Sequence, residues 1–253
     1  MQKLSVTIIC KNEVRNIRAC LESVKWADEI VVLDSGSSDG TLDIVKEYTD
    51  KVVQTDWPGF GIQKNRALDK ASHDWILSID ADERISPELQ TSIKTILKQD
   101  PSDISAFKIL RRSSYCGRFL KHGNWKRDYC IRLFQKNKAR FKEVPVHENL
   151  IVQGQVQKID GLMIHESFRT LDEVITKMNH YSSLSSEERF QKGQRGGLGK
   201  AIRHALWNFF YGYIFRGGFL DGREGFMLAI SNAEGTFYRY AKLMYLYENS
   251  KAK

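Results

Sequence analysis

Residues 75–82 read Trp75-Ile76-Leu77-Ser78-Ile79-Asp80-Ala81-Asp82. An apolar run that ends at two aspartates is typical of a buried strand in a parallel sheet. Similar runs precede it at Leu4–Cys10, Glu29–Asp34 and Val52–Thr55, and apolar residues recur at helical spacing between them. Three successive strand–helix–strand units predict parallel strands with right-handed connections. The sequence therefore predicts an α/β fold with a doubly wound, mostly parallel sheet.

Helices are expected on both sides of this segment. One is predicted over 61–71, and Ser86 and Pro87 form an N-cap and first-turn pair for another. After about Thr170 the alternation ends and only helical patterns follow, with a glycine run at 193–199 as a hinge. We therefore expect an α/β domain over 1–168, which would hold any ligand site at its strand ends, and a C-terminal helical extension over 169–253.

The composition is that of a globular protein. The chain has 253 residues, of which 42% are apolar, and this excludes a disordered chain. Four cysteines without a CxxC pair favour reduced thiols and a cytoplasmic location. The longest apolar tract, 205–215, is shorter than the roughly 20 residues of a bilayer span, so no transmembrane helix is expected.

The positive charge is concentrated in two stretches. The chain carries a net charge of +8, yet residues 106–143 alone hold twelve lysines and arginines against two acids, a local charge of +10. A second stretch, 189–223, holds seven lysines and arginines against one acid and is rich in aromatic residues. Such stretches suit an anionic partner, which could be a phosphorylated or acidic acceptor, a nucleic acid or an anionic membrane surface.

Acidic residues stand at the ends of two predicted strands. Asp34 ends the second strand, and Asp80 and Asp82 follow the fourth. Ligands of open α/β sheets bind outside the carboxyl ends of the strands. Two carboxylates at i and i+2 suit Mg²⁺ or Mn²⁺ that also holds phosphate oxygens, although the same spacing is common in turns.

Three other site motifs are excluded. The run Gly193–Lys200 lacks the glycine spacing of a P-loop and the hydroxyl residue that follows its lysine. No GxGxxG follows the first strand, which argues against a dinucleotide-binding dehydrogenase. Neither His147-Glu148 nor His165-Glu166 extends to the HExxH pattern of zinc proteases.

Three segments resemble the inverting family-two glycosyltransferases with the GT-A fold, namely Val6-Thr7-Ile8-Ile9-Cys10-Lys11-Asn12-Glu13, Asp34–Thr41 and Asp80–Glu83. Three shorter ones are similar to the bacterial lipopolysaccharide core-biosynthesis glucosyltransferase branch, namely Gln63–Arg66, Arg132–Phe134 and Val146–Glu148. The resemblance covers about residues 4–180.

This resemblance implies roles for individual residues. The metal ligands would be Asp82, Asp80 and, as an additional ligand, His165, and this set would favour Mn²⁺ over Mg²⁺. A histidine at a strand end is otherwise commonly a hydrogen-bonding residue. Lys64 or Arg66 could reach the diphosphate. The nucleotide pocket would be lined by Ile9, Lys11, Asn12, Glu13, Asp34, Asp80 and Ala81. Asn12 and Glu13 could also cap the first helix.

Inverting sugar transfer needs a general base near the acceptor hydroxyl. The candidates are Glu148, which stands where the family's second acidic motif falls, and Asp128, which could instead pair with Arg127 or Arg132. We prefer Glu148 and keep Asp128 as the alternative.

The resemblance implies transfer of a hexose, with glucose as the expected sugar, from a UDP-sugar. The acceptor would be a lipopolysaccharide core or another lipid-linked glycan at the inner face of the cytoplasmic membrane, with the protein bound peripherally. A nucleotidyltransferase on a similar sheet is the alternative enzyme. A basic nucleic-acid-binding module is the alternative outside enzymes, but it leaves the three aspartates unexplained, and no nucleic-acid partner is expected.

Overall fold

The structure is a computed structural model that describes residues 2–101, 103–143 and 149–251. The chain forms two compact units, Met1–Arg112 with Arg127–His165 and Ser113–Lys126 with Glu166–Lys253. The expected division had a single boundary after residue 168. Segment 113–126 joins the second unit because Tyr115 and Leu120 pack with Val174 and Leu228 in one apolar cluster.

Most of the strands belong to the first unit. Over the described residues the chain has eleven strands: β1 Leu4–Cys10, β2 Glu29–Asp34, β3 Val52–Gln54, β4 Trp75–Asp80, β5 Glu83–Ile85, β6 Ile104–Tyr115, β7 Arg118–Phe119, β8 Asp128–Gln135, β9 Ala139–Phe141, β10 Leu150–Val152 and β11 Gln155–Phe168. The central sheet has the order β3-β2-β1-β4-β8-β6-β11-β5, with β7 beside β6, and β9 pairs with β10 separately.

The parallel part of the sheet is as expected. Strands β3, β2, β1 and β4 run parallel, and Cys10 pairs with Asp34 while Ile9 pairs with Asp80. The carboxyl ends of β1, β2 and β4 therefore meet at one edge, which we call the carboxyl edge. The other half is antiparallel, with β8 beside β4 and β6, and β5 beside β11. The predicted α/β fold with a C-terminal helical extension is confirmed, and its sheet is mixed.

Helices cover both faces of this sheet. In the first unit they are α1 Ile17–Val24, α2 Thr41–Val45, α3 Phe60–Lys70 and α4 Pro87–Gln99. The predicted cap of α4 is confirmed, because Ser86 Oγ accepts a hydrogen bond of 3.2 Å from the Leu89 amide. Helices α1 and α4 bury apolar stripes on one face of the sheet, and α3 packs against the other.

The second unit is mainly helical. It contains α5 Leu171–Gln191, α6 Leu198–Phe210, a π-helical turn Tyr211–Phe215 and α7 Gly222–Lys251. The glycine run links α5 to α6, but it is not a free hinge. A Cβ on Gly196 would lie 2.3 Å from the Met244 amide nitrogen, so glycine is required for the close approach to α7. Among the described helices, none has the length and apolar character that crossing a bilayer requires.

A buried carboxylate lies at the start of β2. The Ser72 amide donates to Glu29 Oε2 at 2.7 Å, and the Ser5 hydroxyl and the Lys51 ammonium also donate to this carboxylate. Burial by itself raises the pKa of Glu29, but these hydrogen bonds outweigh it and lower the pKa from 4.5 to about 2. The charged form of Glu29 therefore favours the folded state.

We expect Glu29→Gln to lower the free energy of unfolding by an amount that depends on pH. The contribution of the ionised Glu29 is complete above the unfolded pKa of 4.5 and is lost as the pH falls towards about 2. The variant should therefore be less stable at pH 7 by about 2 kcal/mol, and the difference should shrink between pH 4.5 and pH 3. Urea unfolding across this range measures it. Glu47→Gln, which removes an exposed ion pair with Arg18, is the control and should change little. A difference for Glu29→Gln that stays constant with pH would contradict the prediction.

Candidate active site

The turn after β2 is built around Asp34. Its Oδ2 accepts hydrogen bonds of 2.9 Å from the amides of Gly36 and Ser37, and its Oδ1 accepts one from the Ser37 hydroxyl. The carboxylate is fully buried. Asp34 is predicted to line the nucleotide pocket. In the structure its hydrogen bonds stabilise the turn on this side of the carboxyl edge.

The loop after β1 is tied to the same turn. Asn12 has a left-handed backbone with φ 56°, its amide donates to Ser37 Oγ at 2.8 Å, and its Oδ1 accepts from the Ser38 amide at 2.9 Å. This side chain therefore bridges two loops and does not cap α1. Lys11 beside it is exposed, and Glu13 Oε2 accepts from Asn16 Nδ2 at 2.7 Å. Ile9 and Ala81 are buried at the same edge.

Asp80, at the end of β4, lies between two buried cations. Its Oδ1 is 3.0 Å from Lys64 Nζ, and its Oδ2 is 2.7 Å from Arg132 Nη2. Lys64 is only 3% exposed, so its charge is balanced mainly by protein groups. Burial opposes ionisation of Asp80, but Lys64 and Arg132 outweigh it and hold its pKa well below the usual range. Asp80 is therefore ionised and fixed in place.

Glu83 extends this arrangement into a chain of charges. Its Oε1 is 2.8 Å from Arg132 Nη2 and 3.4 Å from Arg111 Nη1, and its Oε2 accepts from the Asp80 amide at 3.0 Å. Arg111 Nε in turn donates to Asp128 Oδ2 at 2.9 Å. We call this alternating set the charge chain, and its members in order are Lys64, Asp80, Arg132, Glu83, Arg111 and Asp128.

Asp82 lies outside the charge chain and next to His165. The Oδ2 atom of Asp82 is 3.3 Å from Nε2 of His165, and both side chains are partly exposed. The antiparallel pairing of β5 with β11 places His165 opposite Glu83, one residue from Asp82. Strand pairing thus brings together two of the three predicted metal ligands.

The third predicted ligand, Asp80, turns to Lys64 and Arg132. Over the described residues, no group of three or more histidines, cysteines or acids is arranged to hold a metal ion. The adjacent carboxylate and imidazole of Asp82 and His165 nevertheless suit a divalent cation that takes its other ligands from phosphate oxygens and water. The residues present therefore fit a cation that binds together with a diphosphate.

The remaining predicted site residues are placed as follows. Arg66 Nη1 donates to Thr55 Oγ1 at 2.9 Å and to Asp56 Oδ1 at 2.7 Å, and its side chain is half-exposed. Asp128 pairs with Arg111, where the sequence suggested Arg127 or Arg132. Glu148, the preferred general base, lies outside the described residues.

The basic stretch 106–143 is not one free surface. Within the first unit, Arg111 and Arg132 belong to the charge chain, and Arg140 forms a bidentate pair with Asp69. Within the second unit, Arg118 pairs with Glu224. An anionic partner for this stretch stays a prediction, and for these residues part of the charge is already balanced by protein carboxylates.

Sequence analysis gave no role to three members of the charge chain, Arg111, Arg132 and Glu83. One signal was available for Arg132, which stands between apolar residues in the strand Cys130–Phe134. A cation in a buried strand requires a carboxylate partner. The sequence does not show which carboxylate this is, because Arg132 and Asp80 are far apart along the chain.

Comparisons with known proteins identify the family of this chain. The family described as "Glycosyl transferase family 2" matches residues 5–151. The lipopolysaccharide core biosynthesis glycosyltransferase LpsC of Rhizobium meliloti is 32% identical over 95% of this chain and 91% of that protein. The uncharacterized glycosyltransferase RT0209 of Rickettsia typhi is 31% identical over 96% of this chain and 87% of that protein. Among solved structures, that of S. aureus TarS covers 71% of this chain and 39% of that chain at 20% identity, with a TM-score of 0.47.

The family match spans more than half of the chain, and LpsC is similar over nearly all of it. The chain therefore belongs to glycosyltransferase family 2, has the GT-A fold, and is a nucleotide-sugar-dependent glycosyltransferase.

Proposed function

We propose that the protein is an inverting hexosyltransferase that moves a hexose, with glucose as the expected sugar, from a UDP-sugar to a lipopolysaccharide core or another lipid-linked glycan. The observation that carries this proposal is the contact between the Asp82 carboxylate and the His165 imidazole, whose Oδ2 and Nε2 atoms lie 3.3 Å apart at the carboxyl edge. The name of the similar protein LpsC supports the acceptor class. The UDP-hexose donor follows from the resemblance of the Val6–Glu13, Asp34–Thr41 and Asp80–Glu83 segments.

In this proposal the two loops at the carboxyl edge hold the nucleoside. The Asn12 bridge and the Asp34 turn fix the loops after β1 and β2 relative to each other. Such preorganisation reduces the conformational entropy that the loops lose when a nucleotide binds. Asp80 is held by Lys64 and Arg132 on the same edge, so a ribose hydroxyl could donate to a carboxylate that is already oriented.

Transfer with inversion is a single displacement at the anomeric carbon. The acceptor oxygen attacks, its proton moves to a general base, and the bond to the diphosphate oxygen breaks with its electron pair on the nucleoside diphosphate. A divalent cation held by Asp82 and His165, Mn²⁺ or Mg²⁺, would offset the charge of this leaving group. Arg66, half-exposed on α3, is proposed to contact the diphosphate.

The general base is proposed to be Glu148, with Asp128 as the alternative. Asp128 Oδ2 accepts a hydrogen bond of 2.9 Å from Arg111 Nε, so this oxygen is already engaged within the protein. This contact favours Glu148. The lipid-linked acceptor implies that the protein works peripherally at the inner face of the cytoplasmic membrane.

We expect donor binding to depend on a cation through Asp82 and His165. After treatment with a chelator, Mn²⁺ should restore thermal stabilisation by UDP-glucose in the natural chain, and GDP- and dTDP-glucose should stabilise it less. Asp82→Ala should abolish this effect and lower kcat by about 10²-fold or more, and His165→Ala should weaken the response to Mn²⁺.

The control for this experiment is Asp69→Asn, which removes a carboxylate that pairs with Arg140 on the surface. It should leave both readouts unchanged. Turnover and nucleotide affinity that survive in chelator-treated Asp82→Ala would refute the cation site, and release of pyrophosphate in place of UDP would indicate a nucleotidyltransferase.

We expect kinetic measurements on two variants to distinguish the two candidate bases. Glu148→Gln should lower kcat by roughly 10²–10⁴-fold and leave donor affinity close to that of the natural chain, because the base acts only on the acceptor proton. Asp128→Asn should lower kcat far less. The opposite ranking, measured by UDP release and donor titration, would assign the base to Asp128.

We expect a β-linked product from an α-linked donor sugar. A single displacement inverts the anomeric configuration, and the ¹H coupling constant of the product's anomeric proton reports it. An α-linked product would show retention and rule out this mechanism.

A further inference from the structure

The outward side of α6 and its π-helical turn is apolar. The exposed residues fall on one helical stripe, which we call the outer face: Ile202, Leu206, Trp207, Phe210, Tyr211 and Phe215. Trp207 is 60% exposed and Phe215 is 71% exposed. Helices on the surface of globular proteins normally turn the opposite side to solvent, so the outer face is an unpartnered apolar surface.

The inward side of the same helix carries its polar contacts, beside the apolar Ala201 and Phe209. His204 stacks on Tyr240 with ring centroids 4.7 Å apart. Asn208 Nδ2 donates to Thr236 Oγ1 at 2.7 Å, and its Oδ1 accepts from Asn124 Nδ2 at 2.8 Å. These contacts fix which side of α6 faces α7, so the apolar stripe cannot rotate inward without breaking them.

The outer face is also ordered. The ring of Trp207 lies 5.9 Å from that of Tyr211 and 6.1 Å from that of Phe215, which gives an aromatic column along the helix. The π-helical turn keeps these rings on one side. Amphipathic aromatic rings at a surface are typical of segments that lie at the interface between lipid and water.

The charge around the outer face selects its partner. Arg203 is exposed, lies one helical turn before Trp207 on α6, and forms no ion pair within the part of the chain that the structure describes. Between residues 189 and 223 the only acid is Asp221, which is buried and held by His122. Two copies joined through this face would place like charges against each other, whereas an anionic lipid surface complements them.

We propose that the outer face of α6 docks flat on a bilayer that contains anionic phospholipid. The helix has 13 residues and is about 20 Å long, shorter than the roughly 30 Å hydrocarbon core. With its inner side packed on α7, it lies in the plane of the interface, with its aromatic side chains among the acyl chains and Arg203 at the headgroups. This inference goes beyond the proposed function, which assigns no surface to the membrane.

Co-sedimentation with vesicles tests the docking face in the absence of any sugar donor or acceptor. The full chain is mixed with vesicles of phosphatidylcholine, alone or with phosphatidylglycerol. The double variant Trp207→Ser with Phe215→Ser removes two rings from the outer face. The matched control is Ile175→Ser with Tyr245→Ser, which removes side chains that are 56% and 60% exposed on α5 and α7. Circular dichroism checks that both variants are folded.

We expect the natural chain and the control to bind phosphatidylglycerol vesicles with equal affinity. The affinity of the outer-face variant should be lower by about tenfold or more. Arg203→Glu should weaken binding only when phosphatidylglycerol is present. The proposal is overturned if the natural chain does not bind these vesicles, or if the outer-face variant binds as well as the control. It is also overturned if sedimentation velocity shows a dimer that only the outer-face variant dissociates. Loss of transfer activity with vesicle binding intact would count against the proposed function and not against this face.

Discussion

The carboxylate of Asp80, held between Lys64 and Arg132, is the contact on which the rest of the site depends. Removing charged groups from water is unfavourable unless each has a partner of opposite sign in good geometry. Here the partners come from α3, β4 and β8, so the charge chain requires these three elements to be in place together. The charge chain also affects which aspartate could bind a cation. Both oxygens of Asp80 already contact Lys64 and Arg132, whereas Asp82 lies beside His165.

The part of this site that follows from local sequence could be predicted. Apolar runs that end at Asp34 and Asp80 predict parallel strands, and parallel strands bring their carboxyl ends to one edge. The observed register of Cys10 with Asp34 and of Ile9 with Asp80 agrees with that inference. The helix cap at Ser86 could also be predicted from the sequence, because capping depends on residues within one turn of the helix.

The part that depends on long-range pairing could not be predicted. The sequence shows an apolar run that ends at His165, but it does not show that this run lies antiparallel to β5 and so reaches Asp82. It also does not show that β8 turns Arg132 towards Asp80 and Glu83. Register between strands that are distant in sequence is set by the packing of the whole sheet, which no short motif encodes.

Helix α6 shows a different limit of sequence analysis. Its apolar residues are so numerous that the sequence alone does not separate a buried side from an exposed one. The decisive residues are the polar ones, His204 and Asn208, whose partners Tyr240 and Thr236 lie on α7. Satisfying buried polar groups thus fixes the rotation of the helix, and the large apolar side chains are turned outward as a consequence. In this unit, polar pairing acts together with the apolar contacts of Ala201 and Phe209 to determine where the exposed hydrophobic surface lies.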